Sequence, residues 1–405
     1  MNWKKHHYIQ LLLFTVTFLV TTISGAEWRY GRSLFFNVDI PFITFFIEGL
    51  SYSIPFLLFL TVHEFGHYLT ARFHQLKVSL PYYIPLYFFI MPSIGTMGAF
   101  IRIKQAIQSR KVIFDVGLAG PLAGFVVALV VLFYGFTNLP PETYVYEIHP
   151  EYHIWGDDYE EIYELKHDTV FYKNDLSYLP DSILSQLPDT IYFSSEGFRL
   201  GSNLIFDFFK KYVATHPERV PNHYEVIHYP WLFAGFLALF FTAINLIPIG
   251  QLDGGHILFG LIGYKKHRIV SAALFIAFVF YTGLGLITLN SFTDEPFMGF
   301  PSYFSKPVLY ILYLYLVFYS LSTNPKERLI AALSVFTGQY MLTLLFPGIE
   351  GNIFWLVFAF LIGRFLGVYH PPVAINEPLD WKRKVLGWIA LLVFILSFSP
   401  GVFEL

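Results

Sequence analysis

The stretch SIPFLLFLTVHEFGHYLTARFH, residues 53–74, decides what kind of fold this chain has. Its first eight residues are almost wholly apolar and leave no face of a helix for water to cover. Two histidines, a glutamate and an arginine follow directly after this run. A helix that is apolar all round has to be buried, so the stretch predicts a span in a lipid bilayer that carries ionisable side chains at membrane depth.

The composition of the whole chain agrees with this interpretation. Of its 405 residues, 55% are hydrophobic and only 14% are charged, roughly half the charged fraction of ordinary soluble domains. We predict an all-α polytopic membrane protein with about nine transmembrane helices, a small membrane-dipping β segment and an extracytoplasmic insert. The predicted spans are Tyr8–Ala26, Leu50–Phe73, Ile113–Phe136, Pro230–Ile249, Ile269–Leu289, Val308–Leu321, Leu329–Phe346, Ile353–Val368 and Val385–Phe398.

The first apolar run, Tyr8–Ala26, lies close to the start of the given sequence. The first run follows MNWKKHH, and we interpret it as a span rather than a cleaved signal peptide because the remaining chain already reads as an integral membrane protein. Cysteine is absent, which excludes disulfides and thiolate zinc sites.

Basic residues predict the orientation of the chain, because lysine and arginine gather in cytoplasmic loops. They fall in alternate loops, so we expect a cytoplasmic N-terminus and a C-terminus on the other side. The long loop 137–229 holds sixteen Asp and Glu against six Lys and Arg, which predicts an acidic extracytoplasmic insert. Four regions follow: three spans over 1–136, the insert 137–229, a fourth span with its motif over 230–263, and additional spans over 264–405.

The segment SLPYYIPLYFFIMPSIGTMGAFIRIKQ, residues 79–105, is apolar, yet its prolines and glycines break any helix. Irregular backbone at membrane depth persists only where protein or a water-filled cavity satisfies its polar groups. We predict that Thr96–Ile103 is an extended strand that dips into the bilayer and offers a free edge to another chain.

The motif HEFGH has the spacing of a metal site. On a helix, positions four apart face the same way, so His63 and His67 can reach one metal ion. Neutral imidazoles suit zinc, and Glu64 between them is placed to take a proton from water. The alternative is a polar cluster that hydrates itself at the membrane interface, which the position of His63 about 15 Å of helix rise before Phe73 disfavours.

A catalytic zinc ion usually has three protein ligands and an open position. Asp253 in AINLIPIGQLDGGHI is the best third candidate, because Pro248 and Gly250 break the fourth span where a carboxylate follows at similar depth. Its alternative is an incidental aspartate in a turn that ends a helix. Iron or cobalt could occupy the same site, although two imidazoles and a carboxylate suit zinc best.

Four motifs in order resemble the site-2 protease family of intramembrane zinc metalloproteases: HEFGH (His63–His67), PSIGTMGAFIRI (Pro92–Ile103), GLAGPLAGF (Gly117–Phe125) and NLIPIGQLDGGH (Asn245–His256). The resemblance implies zinc bound by His63, His67 and Asp253, with Glu64 as the general base. It further implies that the strand with Gly95, Thr96 and Gly98, together with Asn245, holds an extended substrate. Asn245 could equally be a helix-break residue that bonds local backbone, and His256 could support a ligand. We interpret the glycines of GLAGPLAGF as packing residues.

The predicted function is hydrolysis of peptide bonds within or near transmembrane helices, with Zn²⁺ as cofactor. We expect partners to be single-span membrane-protein substrates and the lipid bilayer, with no nucleic acid. The alternative is a transporter or metal-conducting protein that uses the same buried cluster, but the single broken helix disfavours it. His149, His153 and His167 of the insert are interpreted as solvated surface residues rather than a second metal site.

Overall fold

The structure, a computed structural model, describes residues 5–34, 40–89, 92–164, 169–193, 198–292 and 302–404. It is mostly helical, with a few short strands. The helices are α1 Lys5–Tyr30, α2 Phe42–Phe73, α3 Arg110–Thr137, α4 Tyr144–Ile148, α5 Asp181–Leu184, α6 Leu204–Tyr212, α7 Pro230–Leu246, α8 Asp253–Thr282, α9 Ser302–Val317, α10 Pro325–Leu345, α11 Phe354–Leu361 and α12 Trp381–Ser397. The strands are β1 Tyr82–Pro85, β2 Thr96–Phe100, β3 Thr169–Tyr172, β4 Thr190–Phe193, β5 Arg199–Leu200 and β6 Phe403–Glu404.

Four of the described helices are long and apolar enough to cross a membrane: α1, α2, α3 and α10. Shorter apolar helices cover Pro230–Leu246, Lys306–Ser320 and Phe354–Leu366. Each of the nine apolar runs falls on a helix, which confirms the mostly helical fold, while nine crossings remain a prediction.

Helices α1, α2, α3 and α7 form the centre of the molecule. Large aromatic side chains fill their interfaces, and Tyr52, Phe56, Phe59 and Phe233 are fully buried. Between α1 and α2 the hydroxyl groups of Thr21 and Ser53 share a hydrogen bond of 2.8 Å. Small and hydroxylated residues let apolar helices approach closely where lipid supplies no hydrophobic driving force.

The fourth apolar run is broken as predicted. Helix α7 ends at Leu246 and α8 begins at Asp253, so the segment IPIGQL forms the turn between them. Gly250 has φ +61° in this turn, a conformation that favours glycine. A second interruption lies at Gly263, with φ +75°, where α8 bends after its first ten residues. The turn delivers Asp253 at the first position of a helix.

The predicted strand forms, but it is shorter than expected. Strand β2 covers Thr96–Phe100 rather than Thr96–Ile103, and it pairs antiparallel with β1, with Tyr83 opposite Ala99. Ile103 makes only an isolated bridge to Val78. The two strands form a two-stranded sheet, so the other edge of β2 pairs with no strand of the described residues.

The insert contains short α-helices and 3-10 turns, and one small sheet, β3–β4, packs with its own apolar cluster, which includes Val145, Tyr152 and Ile191. Strands β3 and β4 pair antiparallel within the insert. Strand β5 pairs instead with β6, so Arg199 lies opposite Glu404 and Leu200 opposite Phe403. The last described residues of the chain therefore lie against the insert.

Candidate metal centre

Helices α2 and α8 bring together the three side chains that the sequence singled out as ligands. Nε2 of His63 and Nε2 of His67 are 3.1 Å apart. Oδ2 of Asp253 lies 3.1 Å from Nε2 of His67 and 3.6 Å from Nε2 of His63. Both imidazoles are buried, so the cluster sits inside the helical core rather than at a wet helix end.

A backbone carbonyl orients His67. Its Nδ1 atom lies 2.7 Å from the carbonyl oxygen of Val116 in α3. A carbonyl oxygen only accepts, so Nδ1 is the atom that carries the proton and donates it. The Nε2 atom of the neutral ring therefore presents a lone pair toward His63 and Asp253, as metal-binding histidines do.

Helix α3 passes unusually close to both imidazoles. A Cβ placed on Gly120 would lie 2.0 Å from Nε2 of His67, and one placed on Gly124 would lie 3.2 Å from Nδ1 of His63. The glycines of GLAGPLAGF thus lie at close helix contacts: Gly120 and Gly124 pack against the two candidate ligand histidines, and Gly117 packs against His256. Val116 and Gly120 were not predicted to touch it, because their sequence spacing carries no information about a neighbouring helix.

The donor set fits a zinc ion. Two nitrogen atoms and one carboxylate oxygen lie 3.1–3.6 Å from one another. Tetrahedral zinc with ligands at about 2.0–2.1 Å requires separations of about 3.3 Å. Three protein ligands would leave the fourth position of the ion for an exchangeable ligand. Asp253 adds one negative charge to the two neutral rings.

Glu64 faces the same cavity as the three ligands. The cavity has a volume of about 470 Å³. Met97 to Ile101, at and after β2, line it together with residues of α7. Its side chains from outside the predicted set include Phe241, Ile244, Gln251 and Phe358. A cavity lined by a strand, a helix and a few polar side chains suits the binding of an extended chain segment.

The predicted substrate-binding residues separate into two groups. Gly98 and Asn245 line the cavity, whereas Gly95 and Thr96 do not. Gly95 has φ +83°, and a Cβ there would lie 2.5 Å from Cα of Thr21 in α1, so it packs against that helix. Thr96 is fully buried. Its hydroxyl group accepts a hydrogen bond from the N–H of Gly98 at 3.0 Å and donates one to the carbonyl oxygen of Ile84 at 2.8 Å.

Asn245 and His256 flank the ligands. Nδ2 of Asn245 lies 3.4 Å from Nε2 of His63, so its amide reaches the ligand cluster rather than only local backbone. Nδ1 of His256 lies 3.0 Å from Nε2 of His370, and the His256 ring also lines the cavity. No sequence motif singles out His370, because it lies in a loop far along the chain.

Residues after Gly263 support the turn that precedes Asp253. The N–H of Gly250 donates to Oγ of Ser271 at 2.9 Å, and that hydroxyl group donates to the carbonyl oxygen of Val368 at 2.7 Å. Nε2 of Gln251 donates to the carbonyl oxygen of Leu366. The side chain of Ser271 and the backbone of Leu366 and Val368 therefore complete the hydrogen bonds of the turn in the broken helix.

A glutamate between two histidines on a membrane-length helix, joined by an aspartate from a broken helix, defines the class of membrane-embedded metallopeptidases. The sequence pattern of Peptidase family M50 matches residues 51–289, more than half of the chain, and the chain belongs to this family. The resemblance to site-2 proteases is thereby confirmed.

Curated relatives point in the same direction. The chain is 30% identical over 215 residues to "Probable zinc metalloprotease EGY2, chloroplastic" of Oryza sativa subsp. indica, a match that covers 53% of this chain and 29% of that protein. It is 28% identical over 232 residues to "Probable zinc metalloprotease EGY1, chloroplastic" of Arabidopsis thaliana, covering 57% of this chain and 32% of that protein. The match thus spans about a third or less of each relative's length. No solved structure matches the chain.

Proposed function

We propose that this chain is an intramembrane zinc metalloprotease that hydrolyses peptide bonds within or near the transmembrane helices of membrane proteins. One observation carries the proposal: the ligand cluster, the carboxylate of Glu64 and strand β2 line one cavity. The edge of β2 away from β1 pairs with no strand of the described residues. Membership of Peptidase family M50 supports the same reaction class.

His63, His67 and Asp253 hold the zinc ion in this proposal. When bound, zinc supplies Lewis acidity, which polarises a carbonyl group and makes a nearby water molecule more acidic. His67 is held in the binding tautomer by the carbonyl group of Val116. Asn245 is near enough to His63 to donate a hydrogen bond to a substrate carbonyl oxygen at the same place.

Glu64 is the general base and then the general acid. Its carboxylate takes a proton from water as the water oxygen forms a bond to the peptide carbonyl carbon. The same proton then passes to the peptide nitrogen as the carbon–nitrogen bond breaks, so a carboxylic acid and an amine leave. Glu64 is buried beside the ligands and is not one of them, which suits a group that must exchange protons repeatedly.

The substrate binds as an extended strand against β2. A transmembrane helix has to unwind before a peptide bond is accessible, and the unwound backbone then needs new hydrogen-bond partners. The edge of β2 that faces away from β1 supplies such partners beside the ligand cluster. We propose that Gly98 and Asn245 contact the substrate, while Gly95 and Thr96 shape the strand and His256 supports Asp253.

We propose nine crossings, a cytoplasmic N-terminus and an extracytoplasmic insert. The alternation of basic loops supports this orientation. The pairing of β5 with β6 supports one part of it, namely that residues 403–404 and the insert lie on the same side of the membrane. The division into 1–136, 137–229, 230–263 and 264–405 is likewise proposed, and the bend at Gly263 supports its third boundary.

The decisive experiment compares wild type, Glu64→Gln and Asp253→Ala in cleavage of a single-span test protein, with bound zinc measured in each. We expect Glu64→Gln to keep its zinc and lose at least about a hundredfold in rate, because general acid–base catalysis typically contributes that much. Asp253→Ala should lose both zinc and activity.

Glu377→Gln is the matched control, because it removes an exposed carboxylate that pairs with Lys111 away from the cavity. It should match wild type in zinc and rate. Full activity in Glu64→Gln would refute the assignment of the base, and full zinc in Asp253→Ala would refute the third ligand.

A further inference from the structure

A second cluster of metal-binding side chains lies in and beside the insert. His149 follows the end of α4, and Glu225 and His228 lie on the short turn that leads into α7. Nε2 of His149 lies 3.2 Å from Nε2 of His228. Oε2 of Glu225 lies 3.8 Å from Nε2 of His149 and 3.9 Å from Nε2 of His228.

Burial corrects the interpretation of His149 as a solvated surface residue. The side chain of His149 is only 23% exposed, and those of His228 and Glu225 are 6% and 2% exposed. His153 is half-buried and stacks on Tyr146. His167 lies outside the described residues. The sequence groups His149 with its neighbours His153 and His167, because His228 and Glu225 are more than seventy positions away.

The hydrogen bonds of both imidazoles place a lone-pair nitrogen in the cluster. Nδ1 of His149 lies 3.0 Å from Oε1 of Glu151, and Nδ1 of His228 lies 2.9 Å from the carbonyl oxygen of Arg29. Both partners can only accept, so each Nδ1 carries the proton. The two Nε2 atoms then face each other with lone pairs at 3.2 Å, which is repulsive unless a cation lies between them.

The surroundings of the cluster are those of a built site. The hydroxyl group of Tyr152 donates to Oε1 of Glu225 at 2.9 Å, which orients the carboxylate. An imidazole that donates its other N–H to a carboxylate or a backbone carbonyl is the usual arrangement around a bound metal. The separations of 3.2–3.9 Å are close to those at the first cluster and bracket the spacing of about 3.3 Å that tetrahedral zinc requires.

We propose that His149, Glu225 and His228 form a second metal site for a divalent transition-metal ion, with zinc as the best match. Two imidazoles and one carboxylate are a donor set that suits zinc. The ion would join three segments that are distant in sequence: the end of α1 through Arg29, the end of α4, and the turn before α7. This proposal does not depend on protease activity.

The second site and the first lie toward opposite ends of α7. Helix α7 has 17 residues, so its ends are about 25 Å apart. His228 precedes its first residue, and Asn245 beside His63 lies near its last. A metal at the second site would therefore anchor the far end of the helix that forms one wall of the cavity.

A proton is the competing occupant of the second site. Burial lowers the pKa of His228, which favours the neutral ring. Burial also acts to lower the pKa of His149, but its hydrogen bond to Glu151 and the charge of Glu225 outweigh this and raise it. An imidazolium at His149 could relieve the lone-pair contact without any metal, so the experiment has to separate the two.

The test counts zinc in the purified full chain after stripping, reloading with excess zinc and removal of unbound ions. We expect two zinc ions per chain in wild type. His149→Ala and Glu225→Gln should each retain one, and the double variant His63→Ala with His67→Ala should also retain one. His153→Ala is the matched control, since it removes an insert histidine that is not in the cluster, and it should retain two.

Glu225→Gln keeps the size of the side chain and an oxygen atom that can accept from Tyr152, so it tests the ligand even if His149→Ala misfolds. In the double-variant background, adding Glu225→Gln should weaken zinc binding at least about tenfold in a chelator competition. Absence of zinc from the double variant His63→Ala with His67→Ala, at both neutral and mildly alkaline pH, would overturn the proposal and leave a proton between the two imidazoles. Two zinc ions in both His149→Ala and Glu225→Gln would overturn it as well.

Discussion

Gly120 of α3 lies directly against the His67 imidazole of α2, so that a side-chain carbon at position 120 would be 2.0 Å from Nε2. The Gly120→Ala substitution should therefore displace His67, because a methyl group cannot share that volume in a packed interior. We expect zinc affinity to fall about tenfold or more, as it does when the support of a ligand is disturbed. Chelator competition on the purified chain measures this loss.

Gly124→Ala is the graded comparison for this prediction. Its nearest neighbours would be Cε2 of Phe59 at 2.9 Å and the Cβ and Nδ1 atoms of His63 at 3.2 Å, so less has to move. A smaller loss of affinity than in Gly120→Ala is expected. Unchanged zinc affinity in Gly120→Ala would contradict the described approach of α3 to the ligand.

A proline in β2 should separate substrate binding from folding. Arg102 exchanges hydrogen bonds with Ser79 through both its N–H and its carbonyl group. Alternation along an extended strand then points the N–H of Phe100 toward β1 and that of Ala99 toward the free edge. Ala99→Pro should abolish cleavage of a single-span substrate while zinc stays bound, because proline removes the donor.

Phe100→Pro and Phe100→Leu are the control variants for Ala99→Pro. Phe100→Pro should mainly weaken the β1–β2 pair and lower thermal stability, and Phe100→Leu should cleave nearly as well as wild type. Full activity in Ala99→Pro with the fold intact would leave the strand-pairing mechanism without support. A substrate with a helix-breaking residue should also be cleaved faster than an all-leucine span, since unwinding precedes binding.

The third prediction concerns Ser271, whose fully buried hydroxyl group links Gly250 to Val368. Ser271→Ala leaves a buried N–H and a buried carbonyl group without this partner, at a cost of about 1–3 kcal/mol. We expect a lower unfolding temperature and weaker zinc binding, because the turn carries Asp253. Thr323→Ala, at an exposed threonine before α10, should change neither. Equal unfolding temperatures and equal zinc affinities in the two variants would contradict a supporting role for the residues after Gly263.

Topology can be tested without background labelling, because the chain has no native cysteine. A cysteine at exposed Asp158 in the insert should react with a membrane-impermeant reagent in intact cells. A cysteine at exposed Lys265, after the bend in α8, should react only after lysis. The opposite pattern would invert the proposed orientation.

What could be predicted from the sequence depended on the range of the interaction. His63 and His67 followed from helical spacing alone, and Asp253 followed from a helix break at the same depth. The first argument uses geometry within one helix and the second compares the depth of two spans, and the structure brings the three side chains together. The partners that orient the ligands, such as Val116 and Ser271, come from packing between elements, which a single sequence does not encode locally.

Strand β2 and the insert also show that contacts between elements distant in sequence cannot be predicted from the sequence alone. Gly95, Thr96 and Gly98 are neighbours in sequence, yet only Gly98 lines the cavity, because a positive φ at Gly95 turns the chain onto α1. The pairing of His149 with Glu225 and His228 depends on how the insert folds back onto the start of α7. No periodicity connects positions so far apart, so this cluster became visible only in three dimensions.

The pairing of β5 with β6 has a consequence for biosynthesis. Strand β5 ends at Leu200 and its partner begins at Phe403, so roughly 200 residues have to be translated before the pair can form. At translation rates of about 5–20 residues per second, this part of the insert waits roughly 10–40 s with its edge uncovered. A chaperone that reads exposed strand edges would have that interval in which to bind, and a ribosome that stalls in the later spans would prolong it.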